Sequence, residues 1–283
     1  SADGRRRMGC VFLCGHVAVE RISGMKRVKL VVAYDGTNYR GWQIQKNGDT
    51  IESMLNRALK ELTGEEIHVM GASRTDSGVH AMGNVAVFDT EAKMSADKFV
   101  YALNQRLPED IRVQHSCEVA PDFHPRYQET VKTYEYRILN RQFPLPAYRL
   151  NTYFTYYTLD ADRMRRAAAY LTGEHDFKSF CAAGAQVKTT VRTVYDLQVQ
   201  KDGDLITIRI TGNGFLYNMV RIIAGTLMKV GNGEWEPEYV EEILDAKDRR
   251  MAGPTAPAKG LTLMEILFQG ESRLAGLSGS SSE

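Results

Sequence analysis

A chain of 283 residues, 43% hydrophobic and 25% charged, has the make-up of an ordinary globular protein, with apolar mass for one large or two medium domains. No stretch approaches the ~18–20 uninterrupted apolar residues of a membrane span. A formal net charge of +1 announces no global basic field, so any contact with nucleic acid has to come from local patches.

Residues 1–24 carry Arg5, Arg6 and Arg7 ahead of a short apolar run. This imitates a secretory signal, but a small-residue cleavage site is missing and Glu20 and Arg21 interrupt soon after. Cys10, Cys14 and His16 offer three metal-type ligands with no fourth nearby. The segment reads as a weakly structured extension before Met25. The four cysteines, Cys10, Cys14, Cys117 and Cys181, are sparse and irregular, suggesting neither a disulfide framework nor a zinc site. That fits a reducing cytoplasm.

The stretch VKLVVAYDG (28–36) is a β-rich run closed by Asp35-Gly36. DTIESMLNRALKELTG (49–64) predicts a helix. Asp49 caps it, Glu52 completes a capping box, Ile51, Met54, Leu55, Ala58, Leu59 and Leu62 form one stripe, and Gly64 ends it. IHVMGA (67–72) and NVAVFDT (84–90) read as strands. SADKFVYALNQRL (95–107) reads as an amphipathic helix capped by Ser95. IRVQHSCEV (111–119), VKTYEYRIL (131–139) and LNTYFTYY (150–157) follow as strands. DADRMRRAAAYLTG (160–173) is a helix with a basic face. Strands on either side of Lys201-Asp202-Gly203-Asp204 make a hairpin. FLYNMVRIIAGTLMKVG (215–231) is a largely buried helix, PEYVEEILDA (237–246) opens a helix with Pro, and GLTLMEILF (260–268) is a closing strand. The Gly/Ser-rich end reads as a disordered tail.

This order of elements predicts an α+β fold, with two related α/β subdomains whose mainly antiparallel sheets are flanked by helices. The boundaries are an extension over 1–24, an N-terminal domain over 25–130, a C-terminal domain over 131–269 and a tail over 270–283.

Between two apolar runs lies GASRTDSGVHA (71–81). It contains no phosphate-binding Gly-Lys-Ser/Thr, no His-Glu-x-x-His and no G-x-S-x-G elbow. Asp76 is its one carboxylate, flanked by glycines that allow close backbone approach. An aspartate can act as a nucleophile when held ionised and oriented. Arg74 could bind a phosphate or pair with a carboxylate. In isolation the segment reads as a turn with a surface Arg–Asp pair. A second signal is Arg221, a cation inside an otherwise apolar helix. An unpaired buried guanidinium is costly, so Arg221 calls for an anionic partner, either Asp76 or some other carboxylate.

YDGTNYRGWQIQ (34–45), FHPRYQETVKTYEYRI (123–138) and GFLYNMVRIIAGTL (214–227) add aromatic and basic residues in a fixed order. With these and SRTDSGVHA, the sequence closely resembles the tRNA pseudouridine synthase A family over about residues 25–268. Ser73 stands where that family usually has Gly, and Ser77 where it often has Ala. The resemblance implies a pseudouridine-synthase-like fold with the active-site cleft between the subdomains. It implies that Asp76 is the catalytic aspartate, Arg74 the arginine that helps displace the target base, Tyr134 the tyrosine that packs on the uracil, and Arg221 the arginine paired with the aspartate. It further implies a cytoplasmic homodimer, without cofactor or metal and without membrane contact. That dimer would isomerise uridine to pseudouridine in the anticodon stem-loop of tRNA, at positions 38, 39 and 40.

Elementary chemistry agrees. A uracil that must leave C1′, turn and rejoin through C5 has to be flipped out of its stack. Arg74 suits the vacated space, Tyr134 offers a stacking face, and an apolar pocket would raise the Asp76 pKa while Arg221 opposes the rise. Two other classes compete. One is an RNA-binding protein that uses the same cleft without chemistry. The other is a carboxylate-dependent nucleoside hydrolase, which would normally need a second carboxylate or a metal beside Asp76. Weaker candidates are Tyr39, Arg40 and Trp42 for the cleft, with Trp42 equally suited to the core. Lys178, Lys188, Arg192, Arg163, Arg165 and Arg166 are candidates for tRNA phosphates. His80 reads as a structural hydrogen-bonder and Asp35 as a turn residue.

Overall fold

The protein is described here by a computed structural model covering residues 24–184 and 187–269. The expectations for Cys10, Cys14, His16 and the C-terminal tail lie outside these residues.

The β-branched run Lys26–Tyr34 forms β1. Its centre, Val28 to Val32, is buried without alternation, as expected of a strand covered on both faces. It is followed by helix α1 (Ile51–Thr63), strands β2 (Met70–Gly71) and β3 (His80–Thr90), helix α2 (Phe99–Asn104), and strands β4 (Ile111–Val119), β5 (Thr130–Asn140) and β6 (Tyr153–Thr155). Then come α3 (Ala161–Ala169), β7 (Gly173–Asp176), β8 (Val191–Asp202), β9 (Leu205–Gly212), α4 (Met219–Gly231), α5 (Tyr239–Ala246) and β10 (Leu261–Phe268).

Among the described residues all ten strands belong to one sheet, in the order β4-β1-β3-β10-β5-β9-β8-β7, with β2 on β3 and β6 on β5. The two expected sheets are thus the two ends of one sheet. Pairing is antiparallel throughout except at β5–β6 and at the seam between the halves. There β10 lies parallel to β3 through Thr262↔His80 and Leu263↔Ala81 only. On its other edge β10 pairs antiparallel with β5, where Leu263 faces Tyr134. The last strand in sequence therefore sits at the middle of the sheet. It fastens the strand that follows the Asp76 loop to the strand that carries Tyr134.

Several elements differ from their sequence signals for identifiable reasons. Helix α1 is capped by Thr50, not Asp49. Thr50 takes the extended N-cap conformation, and its side chain exchanges hydrogen bonds with Ser53 in a true capping box. Asp49 instead pairs with Arg57 at 3.2 Å, and Glu52 accepts the Ile44 amide. The predicted helix over 95–107 is a 3-10 turn followed by the short α2, and Ser95 makes no side-chain cap. The Asn104 side chain bonds both the amide and the carbonyl of Val113, tying the end of α2 to β4. Helix α4 begins at Met219, because Asn218 takes a left-handed conformation with φ 59°. Strand β7 was not expected.

Candidate active site

The strand entering the 71–81 loop is held carbonyl by carbonyl. Arg126 Nε donates to Gly71 O at 2.8 Å, Lys132 Nζ to Ala72 O at 3.2 Å and Asn84 Nδ2 to Ser73 O at 3.0 Å. Further on, Trp42 N donates to Thr75 O at 3.0 Å and Val79 N to Asp76 O at 3.1 Å. Beneath the loop, the buried Tyr34 hydroxyl meets Thr75 Oγ1 at 2.7 Å and accepts from Asn84 Nδ2 at 3.2 Å. Gly78 turns the chain with φ 78°. The backbone at Asp76 is therefore fixed by partners from both halves of the sheet, and this pre-orients its carboxylate.

Gly41 supports the same loop from below. It has φ +90°, and a Cβ there would lie 2.6 Å from Thr75 O. Gly41→Ala combines left-handed strain with overpacking, and is expected to cost on the order of 3 kcal/mol. A urea midpoint shift measures this. An unchanged midpoint would show that the loop moves freely.

The Asp76 side chain is 30% exposed, and its Oδ2 lies 3.4 Å from Arg221 Nη1, whose side chain is 17% exposed. Arg221 has two closer partners, Ala256 O at 2.7 Å from Nε and Asn218 Oδ1 at 2.8 Å from Nη1. The guanidinium is thus anchored by neutral acceptors and leans on the carboxylate through its remaining reach. Burial raises the Asp76 pKa above that of an ordinary aspartate, and the charge and hydrogen bond of Arg221 only partly offset the rise. A carboxylate balanced in this way is characteristic of functional sites.

Tyr134 projects from β5 with 8% of its surface exposed. Its ring meets Phe215 edge-on, with centroids 5.3 Å apart and planes at 87°. Its hydroxyl lies 2.8 Å from Ser73 Oγ. Burial pushes the phenol up to about 12, against the Ser73 hydrogen bond and with the help of the Asp76 charge. At neutral pH it is therefore a neutral phenol. Ultraviolet titration near 295 nm of wild type against Tyr134→Phe is expected to reveal one phenol ionising close to 12. Absence of that difference would place Tyr134 in a more polar setting.

Against known proteins, residues 30–128 and 167–269 match the family model for tRNA pseudouridine synthase. The tRNA pseudouridine synthase A of Acetivibrio thermocellus is 48% identical over 244 residues, spanning 86% of this chain and all of that protein. That of Thermoanaerobacter pseudethanolicus is 50% identical over 244 residues with the same coverage. The chain belongs to the tRNA pseudouridine synthase family. A chain of the crystal structure of a Cbf5-Nop10-Gar1 complex aligns at 12% identity with a TM-score of 0.30, covering 83% of this chain and 56% of that one. That likeness is too slight to bear on the fold.

Of the residues the family resemblance singles out, the structure brings Asp76, Arg221 and Tyr134 to one place, and Arg74 stands exposed two residues before Asp76. Sequence reasoning missed Asn218, whose amide oxygen serves Arg221 instead of capping α4. It noted Ser73 only as a departure from the family's usual Gly, yet that hydroxyl is the hydrogen-bond partner of Tyr134. Asn218 fell inside the helix expected over 215–231, so nothing in the sequence marked it as a partner of Arg221.

Trp42 is fully buried and belongs to the core. Tyr39 donates to Asp110 Oδ1 at 2.5 Å, and Arg40 is exposed. Gly36 N points at His80 Nδ1 at 3.1 Å, the same nitrogen lies 3.1 Å from Asp35 Oδ1, and Nε2 lies 3.2 Å from Lys259 O. Asp35 accepts from Thr37 N as a turn residue does. On α3, Arg163 is spent on Val230 O and Trp235 O, and Arg165 on Val199 O, whereas Arg166 is exposed. Lys178 and Lys188 are exposed, and the Arg192 guanidinium turns back on the Thr189 and Val191 carbonyls. Among the described residues, no group of three His, Cys, Asp or Glu side chains is placed to hold a metal ion.

Proposed function

We propose that the protein isomerises uridine to pseudouridine in the anticodon stem-loop of tRNA, at positions 38, 39 and 40, with Asp76 as the nucleophile. The observation that carries the reading is the Asp76 carboxylate itself. It is presented on a rigid loop, half desolvated, against Arg221 and beside Tyr134, in a chain that matches whole relatives named tRNA pseudouridine synthase A.

In the reaction the N1–C1′ bond breaks, a C5–C1′ bond forms and the C5 proton leaves to solvent. N1 takes up a proton in exchange, so the RNA keeps its composition and no redox partner is needed. Asp76 attacks the flipped nucleotide and holds one fragment while the other turns. Arg221 keeps the carboxylate ionised and aimed. Tyr134 packs on the uracil, and Arg74 fills the space that the base vacates. The enzyme works as a cytoplasmic homodimer. No helix among the described residues is long and apolar enough to cross a membrane.

Unmodified tRNA tritiated at uridine C5 tests the reading. Isomerisation releases tritium to water. Binding without chemistry releases none, and a nucleoside hydrolase leaves abasic sites or free base. Either of the latter two outcomes overturns the proposal. Sedimentation of the active enzyme as a monomer overturns the dimer.

A further inference from the structure

The cations that guard the entrance to the Asp76 loop are arranged differently from those expected to bind RNA. Arg126 and Lys132 reach the adjacent carbonyls of Gly71 and Ala72, and Arg74 follows two residues later on the same backbone. Arg74 makes no hydrogen bond or ion pair among the described residues. Arg126 commits only Nε, leaving its terminal nitrogens unbonded there. Glu52 is within electrostatic reach of Arg126, but no ion pair joins them, and the Glu52 carboxylate accepts the Ile44 amide. The like charges of Arg74, Arg126 and Lys132 are thus brought together at one short stretch by the fold. Burial, then the Arg74 charge, lowers the Arg126 pKa, and burial with the Arg126 charge brings that of Lys132 down to about 8.

Directly beside Arg126 stands Tyr127, 85% exposed. Its ring is stacked on His124, with centroids 4.0 Å apart and planes at 15°. A large aromatic left in solvent, backed by a near-parallel ring and next to the Arg126 guanidinium, has the features of a single-stranded nucleic-acid platform. Such platforms need a flat face for a base and cations for the phosphates on either side.

The geometry points to an RNA subsite formed by Arg74, Arg126, Lys132 and the His124–Tyr127 stack. The Arg126 guanidinium takes a phosphodiester next to the target nucleotide, beside the Arg74 that fills the vacated space, and Tyr127 stacks on an unpaired neighbouring base. The inference rests on the proposed tRNA activity and names which part of the surface holds the RNA beside the reacting nucleotide. The subsite keeps the flanking strand open while the target base is out of its stack. The aromatic face is indifferent to base identity, which suits a loop whose sequence differs among tRNAs.

The test uses the full-length protein, unmodified tRNA transcript and a salt titration from about 50 to 200 mM. Tyr127→Ala is expected to weaken tRNA binding between about fivefold and about a hundredfold, the range for loss of one stacked base. Its salt dependence should be unchanged, and Tyr127→Phe should bind as wild type does. Arg126→Gln is expected to flatten the slope of log affinity against log salt by about 1. A 2-aminopurine placed next to the target uridine should lose quenching in Tyr127→Ala. Tyr101→Ala, another tyrosine that is 66% exposed, should change nothing. Equal affinity of Tyr127→Ala and wild type, or equal loss in the Ala and Phe variants, overturns the stacking role. An unchanged slope in Arg126→Gln, with an unchanged melting temperature, overturns the phosphate role. A wild-type protein that neither binds nor modifies tRNA would instead defeat the functional reading, so the two failures are distinct.

Discussion

Asp76→Asn is expected to reduce tritium release by at least ~10³-fold while leaving tRNA binding intact, because it removes the attacking charge and keeps the shape. The same change should raise the melting temperature at neutral pH. In the folded protein the Asp76 pKa lies above its ordinary value, since desolvation exceeds the help from Arg221. The folded state therefore binds a proton that the unfolded state has already released. Folding stability falls as pH rises from the ordinary aspartate range, near ~3.9, through the raised folded pKa, and the full cost of the buried charge is present at pH 7. Asparagine carries no such cost. Its oxygen can still accept from Arg221, and the guanidinium keeps Ala256 O and Asn218 Oδ1. The stabilisation should fade as both proteins are taken below pH ~4, where wild-type Asp76 is protonated in both states. A variant that loses activity and also melts lower at pH 7, yet equals wild type in acid, would reverse the sign. It would mean that Arg221 outweighs burial. Retention of more than a few per cent of activity would remove Asp76 from the chemistry altogether.

The meeting of Arg221 with Asp76 was legible in the sequence as a physical anomaly, whereas Tyr134 and Arg74 were singled out by the family resemblance. A cation within the apolar run MVRIIAGTL has few places to go, and it does meet Asp76. Glycines around an aspartate promise close backbone approach, and Gly78 supplies a positive φ within the loop while Gly41, packed beneath it, leaves room for Thr75 O. The fold class followed from alternating and 3.6-residue periodicities that survive in nearly every element. What could not be read were the choices between near-equivalent groups. Thr50 and Asp49 are equally good caps on paper, and the register of α1 decides for Thr50. The basic face of α3 looked available for RNA, yet Arg163 and Arg165 are consumed by carbonyls of neighbouring elements. Meanwhile Arg126 and Lys132, 45 or more residues from the loop in sequence, reach its backbone only through the folding of β5 beside β10 and β9. The single sheet was hidden for the same reason. A two-pair parallel seam between β3 and β10 leaves no local trace.

Arg221→Met should separate the two duties of the arginine. For catalysis, it removes the influence that opposes desolvation at Asp76, so the aspartate pKa rises further and the acid limb of the activity profile moves to higher pH. Activity at pH 7 should fall at least ~10-fold, with partial recovery in alkali as the carboxylate is forced to ionise. Arg221→Lys should lie between wild type and Met, since it keeps the charge but loses the planar fork that spans Ala256 O, Asn218 Oδ1 and Asp76. For stability the largest losses come from elsewhere. Deleting the guanidinium strands the Ala256 carbonyl and the Asn218 amide oxygen, at about 1–3 kcal/mol for each that stays buried and unsatisfied. The contact with Asp76 is single, 3.4 Å long and partly exposed on both sides, so its coupling should be only about 0.2–1 kcal/mol. A thermodynamic cycle over wild type, Asp76→Asn, Arg221→Met and the double variant measures that coupling, and a parallel cycle with Asn218→Ala should give a larger one. Strict additivity at positions 76 and 221, together with an unmoved acid limb in Arg221→Met, would mean that the arginine serves only Asn218 and Ala256. Asp76 would then be held ionised by something other than Arg221. A coupling of 3 kcal/mol or more would mean instead that the pair closes into a dry ion pair, at the strength reserved for fully buried partners.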